Sequence, residues 1–362
     1  MTRSPNAPRH VKTSGITQPP VHAISCYCIY KNSADDKGRE KAKRFLGKIF
    51  PNLIKFHNYL MTQRDPENSG LVTIFHPWES GLDNLPIWDE PLSRIKVRDL
   101  PRFERLDIKA LGKGAEEVRE DDETYRRFLY FVELMKEKYN YDEQKMYDDD
   151  NFPFKVKDIV FSSILYVTNK YMMKIGNILD EDTSQVKGWI SRTEQNFYKY
   201  FTPTQKLDTI EEDDLYDYDL VKKGWINKRT IASLIPIYTG IIPKEKIDVL
   251  ARWINHAHYC GASNCHVPVL PSTDLDEAYF KPSNYWRGPI WINMNWMIYW
   301  GLLSYGYNDR AEQIRKGIFE LAQNHGFREY YDPFTGQGLG GKDFSWTAAL
   351  VIDLILNKDR GI

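Results

Sequence analysis

The sequence predicts an all-α protein of about a dozen helices. Three observations carry that expectation. Apolar residues recur every three or four positions through most long segments. Alternating, β-branched stretches of the kind that form strands are scarce. No self-similarity recurs at a period of roughly 30–45 residues, which disfavours a solenoid.

In chain order, residues 41–63 place Phe45, Ile49, Leu53 and Phe56 on one helical stripe, with Pro51 expected to kink the run. Residues 123–139 repeat the pattern through Phe128, Phe131, Leu134 and Met135. Residues 156–179 do so through Ile159, Ile164, Val167, Tyr171 and Ile175. Further helices are expected near 184–200, 227–238, 243–257, 289–306, 308–325 and 344–357. Pro289 sits where helices often begin. Segments 76–92, 264–288 and 326–343 are rich in Gly, Pro and aromatics and are read as long loops, where function tends to concentrate. Residues 1–13 are expected to be a disordered tail, with one domain over 14–362. The acidic runs Asp148–Asp150 and Glu211–Asp214 read as solvated helix ends and loops.

Composition narrows the function classes. The 49 basic and 50 acidic residues nearly balance, which argues against a general nucleic-acid binder. No apolar run reaches the roughly 18 residues needed to cross a bilayer. The first residues, MTRSPNAPRHVKTSG, lack the apolar core of a secretory signal, so a cytoplasmic location is expected. Four cysteines are too few for a disulfide scaffold in 362 residues. HAHYCGASNCH (256–266) offers zinc-ligating side chains, but its spacing matches no strong zinc template. It reads as a loop leaving a helix. No metal and no organic cofactor are expected.

Four segments combine aromatics with strong polar groups: TQPPVHA (17–23), HPWESGLDN (76–84), NYWRGPIWIN (284–293) and REYYDPFTGQGLGGKDFSWTAAL (328–350). Flat aromatic faces suit the apolar patches of sugar rings, and Tyr285, Trp286 and Trp291 surround Arg287 and Gly288. An aromatic core at a helix start explains the same residues equally well. Glycoside hydrolysis needs two carboxyl groups on opposite faces of the sugar, one protonated and one ionised. Glu79 and Asp83 are too close in sequence to flank a substrate. Asp83 and Glu329, 246 positions apart, are the better pair. Glu79 is left to orient its loop or to bind a sugar hydroxyl.

HPWESGLDN, followed by Pro86 and Trp88-Asp89, resembles the general-acid loop of glycoside hydrolase family 63. YWRGPIWIN and EYYDPFTGQGLGGKDFSWTAAL resemble its two later signatures in the same order, and TQPP an earlier one. The likeness covers roughly residues 14–357 and is closest to the mannosylglycerate and glucosylglycerate hydrolases. It implies an (α/α)6 barrel and inverting hydrolysis. By motif position, Asp83 would be the general acid and Glu329 the general base. Gln18, Trp78, Tyr285, Trp286, Gly288 and Trp291 would touch the substrate, as would Arg127 in TYRRF and Asp343 before FSW. Asp83 should be held protonated by burial or nearby negative charge, with Glu79 and Trp78 as contributors. Arg287 would keep Glu329 ionised, and Arg127 would face an anionic glycerate.

The family's barrel begins well before TQPP, whereas only a short segment precedes it here. The expectation is therefore a toroid lacking its first helices, whose open apolar faces favour association, a homo-oligomer included. LPIW (85–88) replaces a more usual Ser-Pro-Arg-Trp type, so Leu85 and Ile87 are expected to alter the cleft rim. The expected partner is a small-molecule carbohydrate, with no nucleic acid and no membrane. Two other readings stand beside the glycosylglycerate hydrolase: an oligosaccharide α-glucosidase of the same family, and an inactive carbohydrate-binding relic.

Overall fold

The computed structural model describes residues 15–97, 103–105, 108–109, 118–204, 214–261 and 265–357. The predicted tail over 1–13 and Glu211–Asp213 lie outside them. The helices are α1 (His22–Lys31), α2 (Asp36–Thr62), α3 (Asp89–Ser93), α4 (Asp122–Glu137), α5 (Glu143–Asp148), α6 (Ile159–Leu179), α7 (Ser184–Phe201), α8 (Lys244–Asn255), α9 (Ile292–Ser304), α10 (Asn308–His325) and α11 (Ser345–Leu356). The all-α class holds. Among the described residues no helix is long and apolar enough to cross a membrane.

The chain forms two compact units. The first comprises Met1–Gly81, Val132–Thr202 and Asp217–Trp225. Its centre is α6, against which α1, α2 and α7 pack. Ile159, Ile164, Val167, Tyr171 and Ile175 are all buried, as their spacing predicts. Helix α2 runs unbroken through Pro51, and its buried stripe is Leu46, Phe50, Leu53, His57 and Leu60. The predicted Phe45 is exposed, because the true stripe lies one position further along the helix. Four two-residue strands, β1 (Thr73–Ile74), β2 (Val156–Lys157), β3 (Tyr218–Asp219) and β4 (Gly224–Trp225), form a small antiparallel sheet that the periodicity does not reveal.

A buried ion pair fixes this unit's acid-rich loop. Arg64 Nη1 donates to Glu79 Oε2 at 2.8 Å, and both side chains are fully buried. Glu79 also accepts from the backbone N–H groups of Phe75 (2.7 Å) and Thr17 (3.2 Å). Arg64→Met is expected to destabilise the chain by about 3–5 kcal/mol, because it strands a buried carboxylate. Urea denaturation measures this directly.

The second unit comprises Leu82–Phe131, Pro203–Tyr216 and Ile226–Ile362. Its central helix α9 is apolar on nearly every side, as an interior helix must be. It packs on α10, on α11 and on a 3-10 segment, Ile231–Thr239. The sequence predicts a helix near 227–238, but Pro236 within it is consistent with a tighter turn. Helix α9 starts three residues after Pro289 because Ile290 is engaged elsewhere: it exchanges backbone hydrogen bonds with Tyr331 at 2.8 and 3.0 Å. Residues 326–343, expected as loop, hold an antiparallel hairpin of β5 (Arg328–Tyr331) and β6 (Gly338–Lys342). That hairpin carries Glu329.

Two smaller expectations change in this unit. Leu85 and Ile87 are core residues, buried to 0% and 2% exposure, so they line no rim. Asp214 is buried, accepting from Trp253 Nε1 at 2.9 Å and Tyr216 OH at 3.0 Å, so it is no solvated loop acid. Cys260 and Cys265 are joined in a disulfide, so neither thiol is available as a ligand.

Candidate active site

Asp83 follows the single 3-10 turn Pro77–Ser80, which Pro77 starts at a position suited to its fixed φ. Leu82, Leu85, Ile87 and Trp88 are buried around it, and Trp88 Nε1 ties the segment by donating to Leu82 O at 2.8 Å. Asp83 itself stays half-buried.

Tyr285 is the link to the second carboxyl group. Its hydroxyl donates to Asp83 Oδ2 at 3.4 Å. Its ring lies under the Arg119 guanidinium, 4.0 Å from ring centroid to Cζ. Arg119 Nη2 reaches both oxygens of Glu329, at 3.2 and 3.1 Å. Gly341 N also donates to Glu329 Oε2 at 2.8 Å. Gly340 makes that close approach possible, because a Cβ there would sit 2.4 Å from Glu329 Oε2. Asp83 and Glu329 are thus brought to one site, bridged by one phenol and one guanidinium.

A polar ladder fixes this bridge. Asn284 Nδ2 donates to Arg119 O at 2.8 Å and Asn84 Nδ2 to Asn284 Oδ1 at 3.0 Å. Asn84 Oδ1 accepts from Trp286 N at 2.9 Å. Behind Tyr285, Trp286 and Trp291 stack at 3.7 Å, and Trp291 stacks on Tyr330 at 4.9 Å. Trp291 Nε1 donates to Tyr285 O at 2.8 Å, and Tyr330 OH to Val118 O at 3.2 Å.

The electrostatics single out Asp83. Burial, then the Glu120 carboxylate, push Asp83 up to about 7; Glu329 adds to this while Arg119 and the Tyr285 hydroxyl oppose it. Burial chiefly keeps the Tyr285 phenol protonated, well above its ordinary value. Glu329 is ion-paired with Arg119. A carboxyl that keeps its proton near neutrality beside a paired carboxylate is what general acid and base chemistry requires. Glu120→Gln removes a repulsive neighbour of Asp83. It is expected to move the alkaline limb of the activity profile down by roughly one pH unit. A kcat/KM series across pH measures the shift.

Several predicted contacts have different roles. Trp286 and Trp291 are 1% and 2% exposed, so they offer a ligand almost no surface and serve as the wall behind Tyr285. Gly288 is required because a Cβ would meet Lys281 O at 2.3 Å, a packing reason rather than a ligand one. Arg287 pairs with Asp89 at 2.7 and 2.8 Å instead of with Glu329. Arg127 pairs with Glu123 one turn away at 3.4 Å. Asp343 is exposed at a left-handed backbone position, φ 51°. Gln18, Trp78 and Glu79 belong to the first unit, where Gln18 Nε2 donates to Trp78 O. The charge that protonates Asp83 comes from Glu120 and Glu329 rather than from Glu79, whose carboxylate is taken up by Arg64. Sequence reasoning missed Arg119 and Glu120, which sit in the charged run VREDDE and look like surface.

The chain is similar to known glycoside hydrolases. The family model of the mannosylglycerate hydrolase MGH1-like glycoside hydrolase domain matches residues 2–347. The chain is 38% identical over 345 residues to the mannosylglycerate hydrolase of Thermus thermophilus, covering 94% of this chain and 77% of that protein. It is 33% identical over 362 residues to the glucosylglycerate hydrolase of Mycolicibacterium hassiacum, covering 97% and 77%. The crystal structure of the family 63 mannosylglycerate hydrolase from Thermus thermophilus with Tris and D-glycerate superposes with a TM-score of 0.84 at 37% identity, covering 94% of this chain and 78% of that one. The fold is thereby of the (α/α)6-barrel class.

Proposed function

The chain belongs to the mannosylglycerate hydrolase MGH1-like glycoside hydrolase family, and from that premise we propose that it hydrolyses a small α-glycosylglycerate with inversion, Asp83 as general acid and Glu329 as general base. The observation that carries the assignment is the pair of unlike carboxyl groups on one Tyr285–Arg119 bridge.

In this reading Asp83 gives its proton to the glycosidic oxygen as the bond to the anomeric carbon breaks. Glu329 takes a proton from a water that attacks the opposite face. Tyr285 orients Asp83 through its hydroxyl. Arg119 holds both oxygens of Glu329 and takes the role expected of Arg287. It also replaces Arg127 as the candidate cation for an anionic aglycone, because it lies at Glu329 and over the Tyr285 ring that meets Asp83. Glu79 is assigned to loop positioning through Arg64, Phe75 and Thr17. Gln18 and Trp78 remain substrate-contact candidates.

The test is incubation of the purified chain with mannosylglycerate, glucosylglycerate and a neutral glucosyl disaccharide. Faster release from the glycerates supports the reading. Release from the disaccharide alone supports an oligosaccharide glucosidase, and binding without release an inactive relic. A cytoplasmic location and a homo-oligomer belong to the same proposal. α11 leaves Ile352, Ile355 and Leu356 exposed, an apolar face that a second copy would cover. Sedimentation velocity decides the latter.

A further inference from the structure

The first unit contains a cavity of about 540 Å³ that the hydrolytic reading does not use. Its volume falls in the roughly 300–1,000 Å³ range of small-ligand sites. Its walls are aromatic: Tyr147, Tyr200, Tyr218 and Trp225 all line it, and all are half-buried. The β2–β3–β4 sheet sets part of this wall, because Tyr218 pairs directly with Trp225 across the ladder and with Lys157 on its other side. The Tyr218 and Trp225 rings meet edge to face at 5.4 Å, and Tyr200 meets Tyr218 at 6.1 Å. Trp225 Nε1 donates to Tyr200 O at 2.8 Å, which fixes the indole plane.

One acceptor is held rigid in this aromatic setting. Glu67 Oε2 accepts from Tyr200 OH at 2.9 Å and lies 3.4 Å from the buried Lys157 ammonium. The Tyr147 hydroxyl bonds the same carboxylate. A carboxylate has about four acceptor sites. These three partners leave room for a ligand hydroxyl, and their geometry is set before any ligand arrives.

The charges select the ligand class. Lys155, Lys199 and Lys223 also line the cavity, which disfavours a cation despite the aromatic cage. The Glu67 and Asp150 carboxylates disfavour an anion. The Lys155 ammonium is already committed to the carbonyls of Tyr147 and Asp149, at 2.8 and 3.2 Å. What remains is a neutral ligand with apolar ring faces for the aromatics and hydroxyls for Glu67, Asp150, Lys199 and Lys223. We propose that this cavity is a second saccharide-binding site, built on Trp225, Tyr218 and Glu67 and taking a neutral pyranoside.

The test uses chain labelled with ¹⁵N at its tryptophan indoles, carrying Asp83→Asn so that the probes are not turned over. A Trp225→Phe spectrum assigns the Trp225 indole signal. Methyl α-D-mannoside, methyl α-D-glucoside, inorganic phosphate and choline are titrated separately. Movement and saturation of the Trp225 signal with at least one methyl glycoside, and with neither phosphate nor choline, is the expected result. Glu67→Gln should weaken that binding roughly tenfold by replacing a charged acceptor. Tyr147→Leu, which removes a wall ring, should weaken it by a similar factor and stands in if Glu67→Gln does not fold. A Trp225 signal unmoved by both glycosides overturns the proposal. So does movement with phosphate alone, which would mark an anion site, or with choline alone, which would mark a cation cage. Unchanged affinity in the folded variants overturns it as well. Because the readout is a signal from Trp225, it is independent of whether the chain hydrolyses glycosylglycerates.

Discussion

An Asp83→Asn chain should lose about a hundredfold to ten-thousandfold in kcat/KM on mannosylglycerate or glucosylglycerate, the range expected when a general acid is removed. Asn keeps the shape of Asp83 and can still meet the Tyr285 hydroxyl, but it has no proton to give to the glycosidic oxygen. The loss should depend on the leaving group. A 2,4-dinitrophenyl α-glycoside departs without protonation, so its hydrolysis should fall far less than that of a glycerate. A merely structural defect would lower both alike. The pH profile gives a second readout. With the Asp83 proton lost around pH 7, activity of the unmodified chain should fall above that value. In Asp83→Asn this limb should vanish. The shift also links stability to pH. Because folding raises the Asp83 value, the bound proton's contribution is full below the ordinary carboxyl range and is lost as pH rises through about 7. Asp83→Asn, always neutral, should therefore be more stable than the parent at pH 8, which thermal melts at pH 5 and pH 8 would reveal.

Arg119→Ala is expected to cost roughly a hundredfold to thousandfold in kcat/KM on a glycosylglycerate. Two functions end together. Glu329 loses the guanidinium that contacts both its oxygens, and the aglycone carboxylate loses its cation. Substrate comparison separates them. On a neutral methyl glycoside only the first loss applies, so the defect should be smaller and fall mainly on kcat. On a glycerate it should also raise KM. Arg119→Lys should recover only part of the activity, since an ammonium cannot reproduce the planar fork or its stacking on Tyr285. Equal defects on charged and neutral substrates would remove Arg119 from aglycone recognition.

The residues legible in the sequence were those whose chemistry and neighbours coincide. Asp83 and Glu329 sit among aromatics and glycines in segments with no helical period, so a functional reading had little competition. The long helices were legible for a related reason: α6 buries every residue its spacing selects. Arg119 and Glu120 were illegible because VREDDE carries the pattern of a solvated face, and only folding brings it to Glu329, 210 positions away. Arg127 and Arg287 stand close to signature residues in sequence but are spent on Glu123 and Asp89. Trp286 and Trp291 show a similar limit. Their sequence was equally consistent with sugar platforms and core, and burial decides for core. The hairpin carrying Glu329 escaped notice because its second strand, Gly338–Lys342, is mostly glycine and has no side-chain alternation to read.

The paired roles of Asp83 and Glu329 are tested most directly by the stereochemistry of the first product. The chain would be mixed with mannosyl-α-glycerate, and the anomeric proton followed by NMR before mutarotation. Water activated by Glu329 on the face opposite the Asp83 proton must give β-mannose first, with the α-anomer appearing later at the rate of mutarotation. Initial release of α-mannose would contradict the account, because it would require a covalent intermediate that this pair of roles does not form.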